Sequence, residues 1–573
     1  MSNSSGYSSD STAVDLGATS SRSRARVAAS GMHLLHSLLH WPTVVFFAVA
    51  RWVYYIYQDV IRWLFSTRYE PLKPGQKPYG RIAVIGAGLT GVSSAANAVD
   101  HGFEVVIFEA EDSVGGVWAR ENRTSQLQLN SILYRFHPTI KWSTGFPQRD
   151  EIIEQVKGVW KRYKLQDSTR FKTRVTKVTR DNTSTDPRKR GHSRWIINDG
   201  KEGVFDAIIC AVGTCGEPKL IKLDSQDSFR GEILHSSQLD NADLKDKKVV
   251  IVGSGASGVE AAELAVQKEA KDIVVLARSD KWIIPRNTVI DILLSLQPFG
   301  REMPLSFIPE FLIRKLHYRD LEDLSPPKEA KGLFEGTPIV NDEFLEHIRQ
   351  GLVTYKRCDT KLVTPRGIKI VERGRSSKPG DPGHEAVERA DVIILSTGYN
   401  RPTVDFLPDD LFPSDEDRDY HRPSLYLQNF TVEDWSVLLT NASYENGLGT
   451  VGNWHVSPTA LLSSPHTDVE LNFRHIGILT RILLVFLLDE TTRPVPAAMK
   501  TWVDVINWVK MLAWGESASG LTFFTYAEMC IWIVLFHLFN PRRIPWLPFI
   551  LFGWGVRPGK SGHFKRSMAK VVT

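Results

Sequence analysis

The sequence predicts an α/β fold built on two β-α-β units, with hydrophobic helical segments towards both ends of the chain. Three observations lead to this prediction. An apolar strand, a glycine-rich turn and a helical pattern follow one another from residue 81, and the same order returns from residue 247. Apolar stretches that belong to neither unit lie between residues 32 and 66 and after residue 471.

The first unit has the features of a dinucleotide-binding turn. The apolar run at residues 82–85 predicts a buried parallel strand, and Gly86, Gly88 and Gly91 follow it at G-x-G-x-x-G spacing. The glycines allow a tight turn and a close approach of a pyrophosphate, while the helix N-terminus offers free N–H groups. A second strand ends in Glu109, 18 residues after the last glycine, where a carboxylate can bind ribose hydroxyls. The alternative is a glycine-rich turn between core elements.

The second unit repeats this plan. Residues 247–286 contain a buried strand, then Gly253, Gly255 and Gly258, a helix, and a strand that ends at Leu276. The acid expected for a ribose is absent after this strand. The two units together are therefore more informative than either glycine motif alone.

The cations that follow the second unit favour NADPH over NADH. Arg278 stands 20 residues after Gly258, and Ser279 and Arg286 come behind it. A 2′-phosphate requires a cation and hydrogen-bond donors at this point. The alternative interpretation is that these are ordinary solvated surface cations.

Composition limits the class of protein. A chain of 573 residues is long enough for two or three domains. Its 70 Lys and Arg against 65 Asp and Glu give a net charge of +5, too small to indicate a nucleic-acid surface. The four cysteines argue against a disulfide framework and for a reducing compartment. Cys210 and Cys215 are interpreted as small core residues rather than a redox pair, and no metal site is predicted.

These patterns predict six segments along the chain. In order they are a disordered tail at 1–31, an amphipathic or membrane-associated helix at 32–66, the first part of a dinucleotide-binding domain at 80–240, an NADP-binding domain at 245–388, the return of the first domain at 389–470, and a hydrophobic C-terminal region at 471–573 that is a possible membrane anchor.

The N-terminal apolar stretch predicts a helix in a membrane interface. Arg51, Gln58 and Arg62 fall along one helical face, and Trp, Tyr, Phe, Val and Ile dominate the remainder. The alternative is an amphipathic helix that packs on the protein's own core. We expect the protein at the cytosolic face of an internal membrane such as the endoplasmic reticulum.

The C-terminal region is rich in Trp, Phe, Leu and Ile. Residues 523–539 form an apolar run of marginal length for a bilayer span, and a hairpin or monotopic anchor is preferred. Arg542, Arg543 and the basic tail at 560–570 would suit anionic headgroups. The competing interpretation is a hydrophobic lid over a substrate cavity.

Other candidate site residues lie outside these two units. Gly116 and Trp118 belong to a turn that could close over a cofactor, and Asn130 lies among apolar neighbours. Thr397 and Gly398 follow the apolar run at 392–395, which is predicted to return the chain to the first domain. The segment at 229–240 is predicted as a loop.

Together these motifs resemble the flavin-containing monooxygenase family, the class B flavoprotein monooxygenases, over roughly residues 80 to 405. The resemblance rests on the sequences GAGLTG, GGVW, GSGASG followed by ARSDKWIIPR, and LSTGY. Phe229, Gly231 and His235 match the family's F-x-G-x-x-x-H fingerprint, whereas Leu239 stands where the family usually has Tyr or Phe. No Trp-Pro or Trp-Asp pair follows, which makes a Baeyer-Villiger enzyme less favoured.

The resemblance implies two Rossmann-type domains, with the FAD domain interrupted by the NADP domain. It implies hydride transfer from NADPH to FAD and reaction of the reduced flavin with O2 to give a C4a-hydroperoxide, which oxygenates a lipophilic small molecule at nitrogen, sulfur or carbon. It implies Asn130 as the catalytic contact near the flavin, with a loop-capping amide as the alternative. His235 is interpreted as securing the connection between the domains.

Two other functions remain as alternatives. One is a flavin oxidoreductase that does not insert oxygen, although no redox cysteine pair lies near the first glycine turn. The other is a membrane-bound nucleotide-binding scaffold without catalytic activity. The sequence gives no oligomeric state and does not identify the substrate.

Overall fold

The protein is represented by a computed structural model. It describes residues 48–49, 51–66, 69–128, 130–131, 134–181, 192–213, 215–287, 307–327, 332–333, 338–400, 402–412, 425–427, 429–440, 475–512 and 534–557. The predicted tail at 1–31, residues 523–533 of the C-terminal apolar run and the basic tail at 560–570 lie outside these residues. The chain forms two compact units, Met1–Leu64 and Phe65–Thr573.

The described chain contains seventeen strands and ten α-helices. The strands are β1 Arg81–Ile85, β2 Glu104–Phe108, β3 Thr169–Arg170, β4 Val178–Arg180, β5 Trp195–Ile197, β6 Val204–Phe205, β7 Ala207–Cys210, β8 Glu232–His235, β9 Lys248–Val252, β10 Asp272–Ala277, β11 Ile283–Ile284, β12 Ile339–Val340, β13 Val353–Thr364, β14 Gly367–Glu372, β15 His384–Arg389, β16 Val392–Leu395 and β17 Val437–Leu438. The helices are α1 at 51–65, α2 Leu89–Asp100, α3 Arg149–Arg162, α4 Ala256–Gln267, α5 Phe307–Ile313, α6 Phe344–Arg349, α7 His475–Leu488, α8 Pro496–Leu512, α9 at 534–538 and α10 Leu547–Phe552.

The first sheet is entirely parallel and contains the predicted first β-α-β unit. Its strand order is β17-β7-β1-β2-β3. Strand β1 pairs with β2 on one side and with β7 on the other, so that Ala83 lies between Val106 and Ile208. Cys210 ends β7 inside the apolar core of this sheet, which confirms its interpretation as a core residue. Burial raises the pKa of its thiol, so Cys210 stays protonated near neutral pH.

The second sheet has seven strands in the order β15-β14-β13-β10-β9-β16-β8. Its centre is parallel, and β13, β14 and β15 form an antiparallel edge. Because side chains alternate across a strand, Val249 and Ile251 face one apolar core while Val250 and Val252 face another. The mixed α/β class with parallel sheets is therefore as predicted.

The structure corrects two predictions at the edges of the second unit. Residues 392–395 were predicted to return the chain to the first sheet, but β16 pairs in parallel with β9 and β8 of the second sheet. The segment at 229–240, predicted as a loop, contains strand β8. An apolar run fits the centre of either sheet equally well, so composition alone does not assign it. The return to the first sheet is made by β17, which pairs with β7.

Helix α7 of the C-terminal region packs on the protein itself, as the alternative to a membrane anchor requires, and the anchor stays a prediction for the rest of that region. Helix α7 packs along α2, and Ile482, Leu483 and Phe486 are buried. Arg481 of α7 donates to the side-chain oxygen of Asn97 on α2 at 2.9 Å and to the carbonyl oxygen of Ile550 in α10 at 2.8 Å. The apolar composition thus covers the outer side of α2.

Arg543 does not face headgroups, contrary to the prediction. It is 4% exposed and donates to the carbonyl oxygens of Thr492 at 2.9 Å and Phe536 at 3.0 Å. Its guanidinium also lies 4.1 Å from the ring centroid of Phe536. Arg543 therefore joins the C-terminal helices to each other. None of the helices in the described ranges has both the length and the apolar composition that a membrane span requires.

Candidate functional site

The first glycine turn has no space for side chains at two of its positions. Strand β1 ends at Ile85, and Gly86 follows with a φ of +101°. A Cβ atom on Gly86 would lie 2.5 Å from the carbonyl oxygen of Ala211, and one on Gly91 would overlap the carbonyl oxygen of Gly86. Close packing between strand and helix therefore requires glycine at both positions, as the motif predicts.

Helix α2 presents an uncapped N-terminus at this turn. Gly88 occupies the cap position, and among the described residues no side chain caps the helix. The hydroxyl oxygen of Thr90, in the first helical turn, is buried and has no hydrogen-bond partner within the described part of the chain. Free N–H groups, a positive dipole end and an available hydroxyl fit a pyrophosphate. Thr90 is a site residue that the sequence reasoning missed, although it stands inside the G-x-G-x-x-G motif.

Glu109 is placed beside the same turn. It follows β2, is 7% exposed, and accepts hydrogen bonds from the backbone N–H groups of Ala87 at 2.5 Å and Glu111 at 2.9 Å. Both bonds hold the carboxylate in one orientation and leave acceptor capacity on its oxygens. The geometry fits the predicted contact with the ribose of FAD.

The turn that contains Gly116 and Trp118 lies against the first glycine turn. Gly115 forms a parallel bridge with Gly88, and a Cβ on Gly116 would lie 3.0 Å from the Cα of Gly88. The Trp118 indole donates to the hydroxyl of Tyr134 at 3.2 Å. The structure thus brings together two predicted elements of the FAD site.

The second glycine turn repeats the geometry of the first. Gly253 has a φ of +112°, and a Cβ on Gly258 would overlap the carbonyl oxygen of Gly253. Gly255 caps helix α4, and no described side chain completes the cap. This second uncapped helix N-terminus fits another dinucleotide pyrophosphate.

Arg278 and Arg286 lie in different surroundings. Arg278 follows β10, and its side chain is 81% exposed, so it is accessible to a phosphate. Its nearest carboxylate oxygen, on Asp359, is 4.0 Å away. The backbone carbonyl of the adjacent Ser279 accepts a hydrogen bond from the Ser254 hydroxyl at 3.3 Å. The backbone N–H of Arg286 donates to Asp342 at 2.7 Å. Because Arg286 lies among carboxylates, its contact with the NADPH phosphate stays a prediction.

Both glycine turns lie beside the two segments by which the chain crosses between the sheets. The segment that leaves β7 and the segment that follows β16 run antiparallel, with Gly216 donating to Asn400 at 2.8 Å and Lys219 to Gly398 at 2.9 Å. The hydroxyl of Thr397 donates to the carbonyl oxygen of Lys219. The first segment begins with Ala211, which lies against Gly86, and the second begins with Ser396, which lies against Gly253. Both turns therefore adjoin the same junction.

His235 joins this junction to strand β8. Its Nδ1 accepts from the backbone N–H of Ser237 at 3.2 Å, so the Nε2 hydrogen donates to the carbonyl oxygen of Gly398 at 3.0 Å. Burial lowers the pKa of His235, which favours the neutral ring that makes both bonds. The geometry supports the interpretation of His235 as a residue that secures the connection.

Asn130 lies in a buried segment on the first domain. It is 2% exposed, and its amide nitrogen would lie 3.1 Å from a Cβ on Gly145. The segment is held by Ser131, whose backbone N–H donates to the carbonyl oxygen of Gly145 at 2.7 Å. Its catalytic contact with the flavin stays a prediction.

Carboxylates between the two sheets were not found by sequence reasoning. Glu121 accepts a hydrogen bond from the hydroxyl of Tyr399, and Glu260 of α4 accepts bonds from Ser125 and Gln128, each at 3.1 Å. Burial, followed by the charge of Glu121, raises the pKa of Glu260 to about 7. These contacts join residues far apart in the chain, so no local pattern marks them.

The comparisons with known proteins agree with this geometry. A model of the FMO-like family, described as flavin-binding monooxygenase-like, matches residues 79–420. The chain is 27% identical over 220 residues to a Baeyer-Villiger monooxygenase of Pseudomonas aeruginosa, covering 37% of this chain and 40% of that protein. It is 26% identical over 351 residues to flavin-containing monooxygenase 1 of Canis lupus familiaris, covering 56% of this chain and 62% of that protein. The chain thus spans 40 to 62% of the length of these relatives.

Solved structures share the fold. A crystal structure described as OTEMO in complex with FAD and NADP superposes with a TM-score of 0.54 at 21% identity, covering 76% of this chain and 91% of that one. An oxidized steroid monooxygenase bound to NADP gives a TM-score of 0.57 at 17% identity, covering 79% and 97%. The predicted family is confirmed by these findings, and so are FAD and NADPH as its cofactors. Since the family model matches more than half of the residues, the chain belongs to the flavin-binding monooxygenase-like family.

Proposed function

We propose that this protein is an FAD- and NADPH-dependent monooxygenase that inserts one oxygen atom from O2 into a lipophilic small molecule at nitrogen, sulfur or carbon. One observation carries the proposal. Two uncapped helix N-termini, each behind a glycine turn, adjoin a single junction between the two sheets. An acid follows the first turn and an exposed arginine follows the second, which suits two different dinucleotides.

The residues of this chain bind and orient the two cofactors. The N–H groups at the start of α2 and the Thr90 hydroxyl hold the pyrophosphate of FAD, and Glu109 holds its ribose. The start of α4 holds the pyrophosphate of NADPH, and Arg278 pairs with its 2′-phosphate. The bound flavin supplies the redox chemistry and the activation of O2. Asn130 contributes a buried amide at the reacting end of the flavin.

A Baeyer-Villiger activity is the second candidate, because one relative and one solved neighbour carry such names. The Pseudomonas protein is named a Baeyer-Villiger monooxygenase, and a cyclohexanone monooxygenase bound to ε-caprolactone superposes with a TM-score of 0.56 at 15% identity. A cyclic ketone would then give a lactone, whereas a tertiary amine or thioether would give an N-oxide or sulfoxide.

The test is a product screen under 18O2. Purified protein loaded with FAD is supplied with NADPH and a panel of amines, thioethers and cyclic ketones, and products are analysed by mass spectrometry. We expect one labelled oxygen atom in the product and one NADPH consumed per product. Consumption of NADPH with no label in any product would instead support a flavin oxidoreductase. A purified protein that binds no FAD would support the scaffold alternative.

We also propose that helix α1 binds an anionic membrane surface. Six apolar side chains spaced along one face of α1 are exposed, namely Trp52, Val53, Ile56, Val60, Trp63 and Leu64. Two of them are Trp, which favours the membrane interface. Arg51 supplies positive charge, whereas Arg62 pairs with Asp59 at 3.4 Å. The location at the cytosolic face of an internal membrane stays a prediction.

Vesicle flotation tests this second proposal. The full chain is mixed with vesicles that contain 30% or no phosphatidylserine, about the range over which an anionic surface potential develops. We expect binding to the anionic vesicles that falls at least tenfold on the double change Trp52→Ser and Trp63→Ser. The matched control is Leu220→Ser, an equally exposed apolar residue elsewhere. Equal flotation of all three proteins would contradict the proposal.

A further inference from the structure

The two cofactor domains are joined by a polar contact that involves neither glycine turn. The side-chain amide of Gln128 donates to Oε1 of Glu260 at 3.1 Å, and its carbonyl oxygen accepts the backbone N–H of Val340 at 2.9 Å. The hydroxyl of Ser125 donates to Oε2 of Glu260 at 3.1 Å. Ser125 and Gln128 belong to the first domain, whereas Glu260 on α4 and Val340 on β12 belong to the second.

Glu260 makes both bonds in either protonation state. As a carboxylate it accepts from Ser125 and Gln128, and as a neutral acid it accepts from Gln128 and donates to the Ser125 hydroxyl. The charged groups that act on it are Glu121, Glu263 and Arg286. Burial, followed by the charge of Glu121, raises the pKa of Glu260 to about 7, so both protonation states are populated near neutral pH.

The first-domain side of this contact is itself firmly anchored. The backbone N–H of Leu127 donates to the carbonyl oxygen of Pro147 at 3.1 Å, and that of Arg149 to the carbonyl oxygen of Ser125 at 2.8 Å. Gln128 stands two residues before Asn130 in this segment. A displacement of Gln128 therefore displaces the segment that presents Asn130.

We propose that Glu260 is a positioning residue which, through Gln128 and Ser125, fixes the segment of residues 125–131 against helix α4 and so sets the distance between the two cofactors. The inference rests on the proposed function, because it assigns α4 to NADPH and the Asn130 segment to FAD. Both of the hydrogen-bonded side chains reach across the domain boundary, so their loss leaves each domain internally complete.

The consequence for the reaction is a rate effect rather than a binding effect. Hydride transfer depends steeply on distance and orientation, and a misplacement of about 1 Å costs up to about 100-fold in rate. The groups assigned to the NADPH phosphates are the N–H groups at the N-terminus of α4 and the Arg278 side chain. Glu260 lies one turn further into α4, and its carboxyl oxygens bond to Ser125 and Gln128 rather than to those groups. We therefore expect about tenfold slower hydride transfer, with the KM for NADPH changed less than threefold.

The experiment compares four variants of the FAD-loaded full chain. Glu260→Met keeps the volume and loses both bonds, Glu260→Gln keeps an acceptor for Gln128 and a donor for Ser125, and Gln128→Leu removes the partner. Glu269→Gln is the matched control, because this carboxylate of the same region pairs only with exposed Lys245 among the contacts of the described residues. Anaerobic flavin reduction by NADPH is followed by stopped-flow absorbance, and hydrogen–deuterium exchange is measured at Val340 and in the 125–131 segment.

We expect slower reduction and faster exchange in Glu260→Met and Gln128→Leu, and wild-type behaviour in Glu260→Gln and the control. A fifth protein carries both Glu260→Met and Gln128→Leu. Because the two changes share the loss of the Gln128–Glu260 bond, we expect its reduction to be slowed by less than the product of the two single effects. Unchanged reduction and exchange in folded Glu260→Met and Gln128→Leu would overturn the proposal. If Glu260→Met fails to bind FAD, Gln128→Leu decides by the same criteria.

The exchange measurement separates this inference from the proposed function. A wild-type protein that NADPH does not reduce contradicts the monooxygenase proposal. Exchange at Val340 still reports whether Gln128 and Glu260 hold the two domains together. Protection that is lost in Glu260→Met and kept in Glu260→Gln supports the contact, and protection that is the same in both overturns it.

Discussion

The phenolic hydroxyl of Tyr399 donates a hydrogen bond to the carboxylate of Glu121. Tyr399 follows strand β16 of the second sheet, and Glu121 follows the turn that contains Gly116 and Trp118. Burial raises the pKa of Glu121, and the hydrogen bond from Tyr399 opposes that shift. The contact thus joins the segment that follows β16 to the FAD-binding side of the junction. It is a direct bond between the segments that the two domains contribute.

Removal of that hydroxyl should weaken the junction. In Tyr399→Phe the Glu121 carboxyl loses a buried donor, and we expect the free energy of unfolding to fall by about 1 to 3 kcal/mol. Urea unfolding followed by tryptophan fluorescence gives the value. The control Tyr69→Phe changes a ring that packs on Tyr163 and should cost less than about 0.5 kcal/mol. An equal loss in both variants would contradict a specific role for the Tyr399 hydroxyl.

The glycine at position 91 should be essential for FAD binding. A methyl group there overlaps the carbonyl oxygen of Gly86, so Gly91→Ala must displace α2 from β1. We expect the purified variant to contain less than about a tenth of the wild-type flavin, a loss of at least 1.4 kcal/mol in binding. Flavin absorbance per protein chain measures it.

The control for this prediction is Gly158→Ala. A Cβ at Gly158 in helix α3 meets nothing within 4 Å, and alanine favours a helix over glycine by about 1 kcal/mol. That variant should keep its flavin and gain stability. Full flavin content in Gly91→Ala would show that the first glycine turn does not hold the cofactor.

Arg278 should determine the preference for NADPH. In Arg278→Ala a charge-assisted contact worth about 1.5 to 3 kcal/mol is lost, so we expect the KM for NADPH to rise about 10- to 100-fold and that for NADH to stay within threefold. Steady-state oxidation of each nucleotide measures the change. Lys201→Ala, at a side chain that is 85% exposed and remote in the chain, is the control. Parallel changes for NADPH and NADH would contradict the assignment.

Stability should depend on pH through Glu260. Its pKa is about 7 in the folded protein and 4.5 in its ordinary state, so folding takes up a proton between these values. The stability contribution of this group is highest below pH 4.5, declines as the pH rises towards 7, and stays low above it. Relative to wild type, Glu260→Gln should be about 1 to 3 kcal/mol more stable at pH 8.5, and the difference should vanish near pH 4.5. Denaturant unfolding at both pH values provides the measurement, and a constant difference would refute it.

Arg543 should matter far more than its neighbour Arg542. Arg543 is buried and bonded to two carbonyl oxygens, which its loss leaves without partners, whereas Arg542 is exposed. We expect Arg543→Ala to lower the free energy of unfolding by about 2 to 4 kcal/mol and Arg542→Ala by less than about 0.5 kcal/mol. Thermal unfolding of the two variants distinguishes this role from the headgroup contact that the sequence suggests.

The parts of this fold that follow from short-range patterns could be predicted from the sequence. The turns at Gly86 and Gly253 need glycine because φ is positive at both positions, and this local requirement is visible in the motif itself. The sheet to which residues 392–395 belong could not be predicted, because Val-Ile-Ile-Leu suits any buried parallel strand. The roles of Glu260 and Arg543 could not be predicted for another reason. Their partners are distant in the chain, and their burial depends on packing.

The order of the strands along the chain has a consequence for biosynthesis, because the strands of the second sheet lie between β7 and β17 of the first. Ile208 of β7 and its partner Val437 of β17 stand 229 positions apart, and the whole second sheet is made between them. A ribosome therefore releases a complete nicotinamide-binding half before the flavin-binding half receives its final edge strand. Until then the growing polypeptide carries an open β7 edge, which a chaperone or early flavin capture would protect from aggregation.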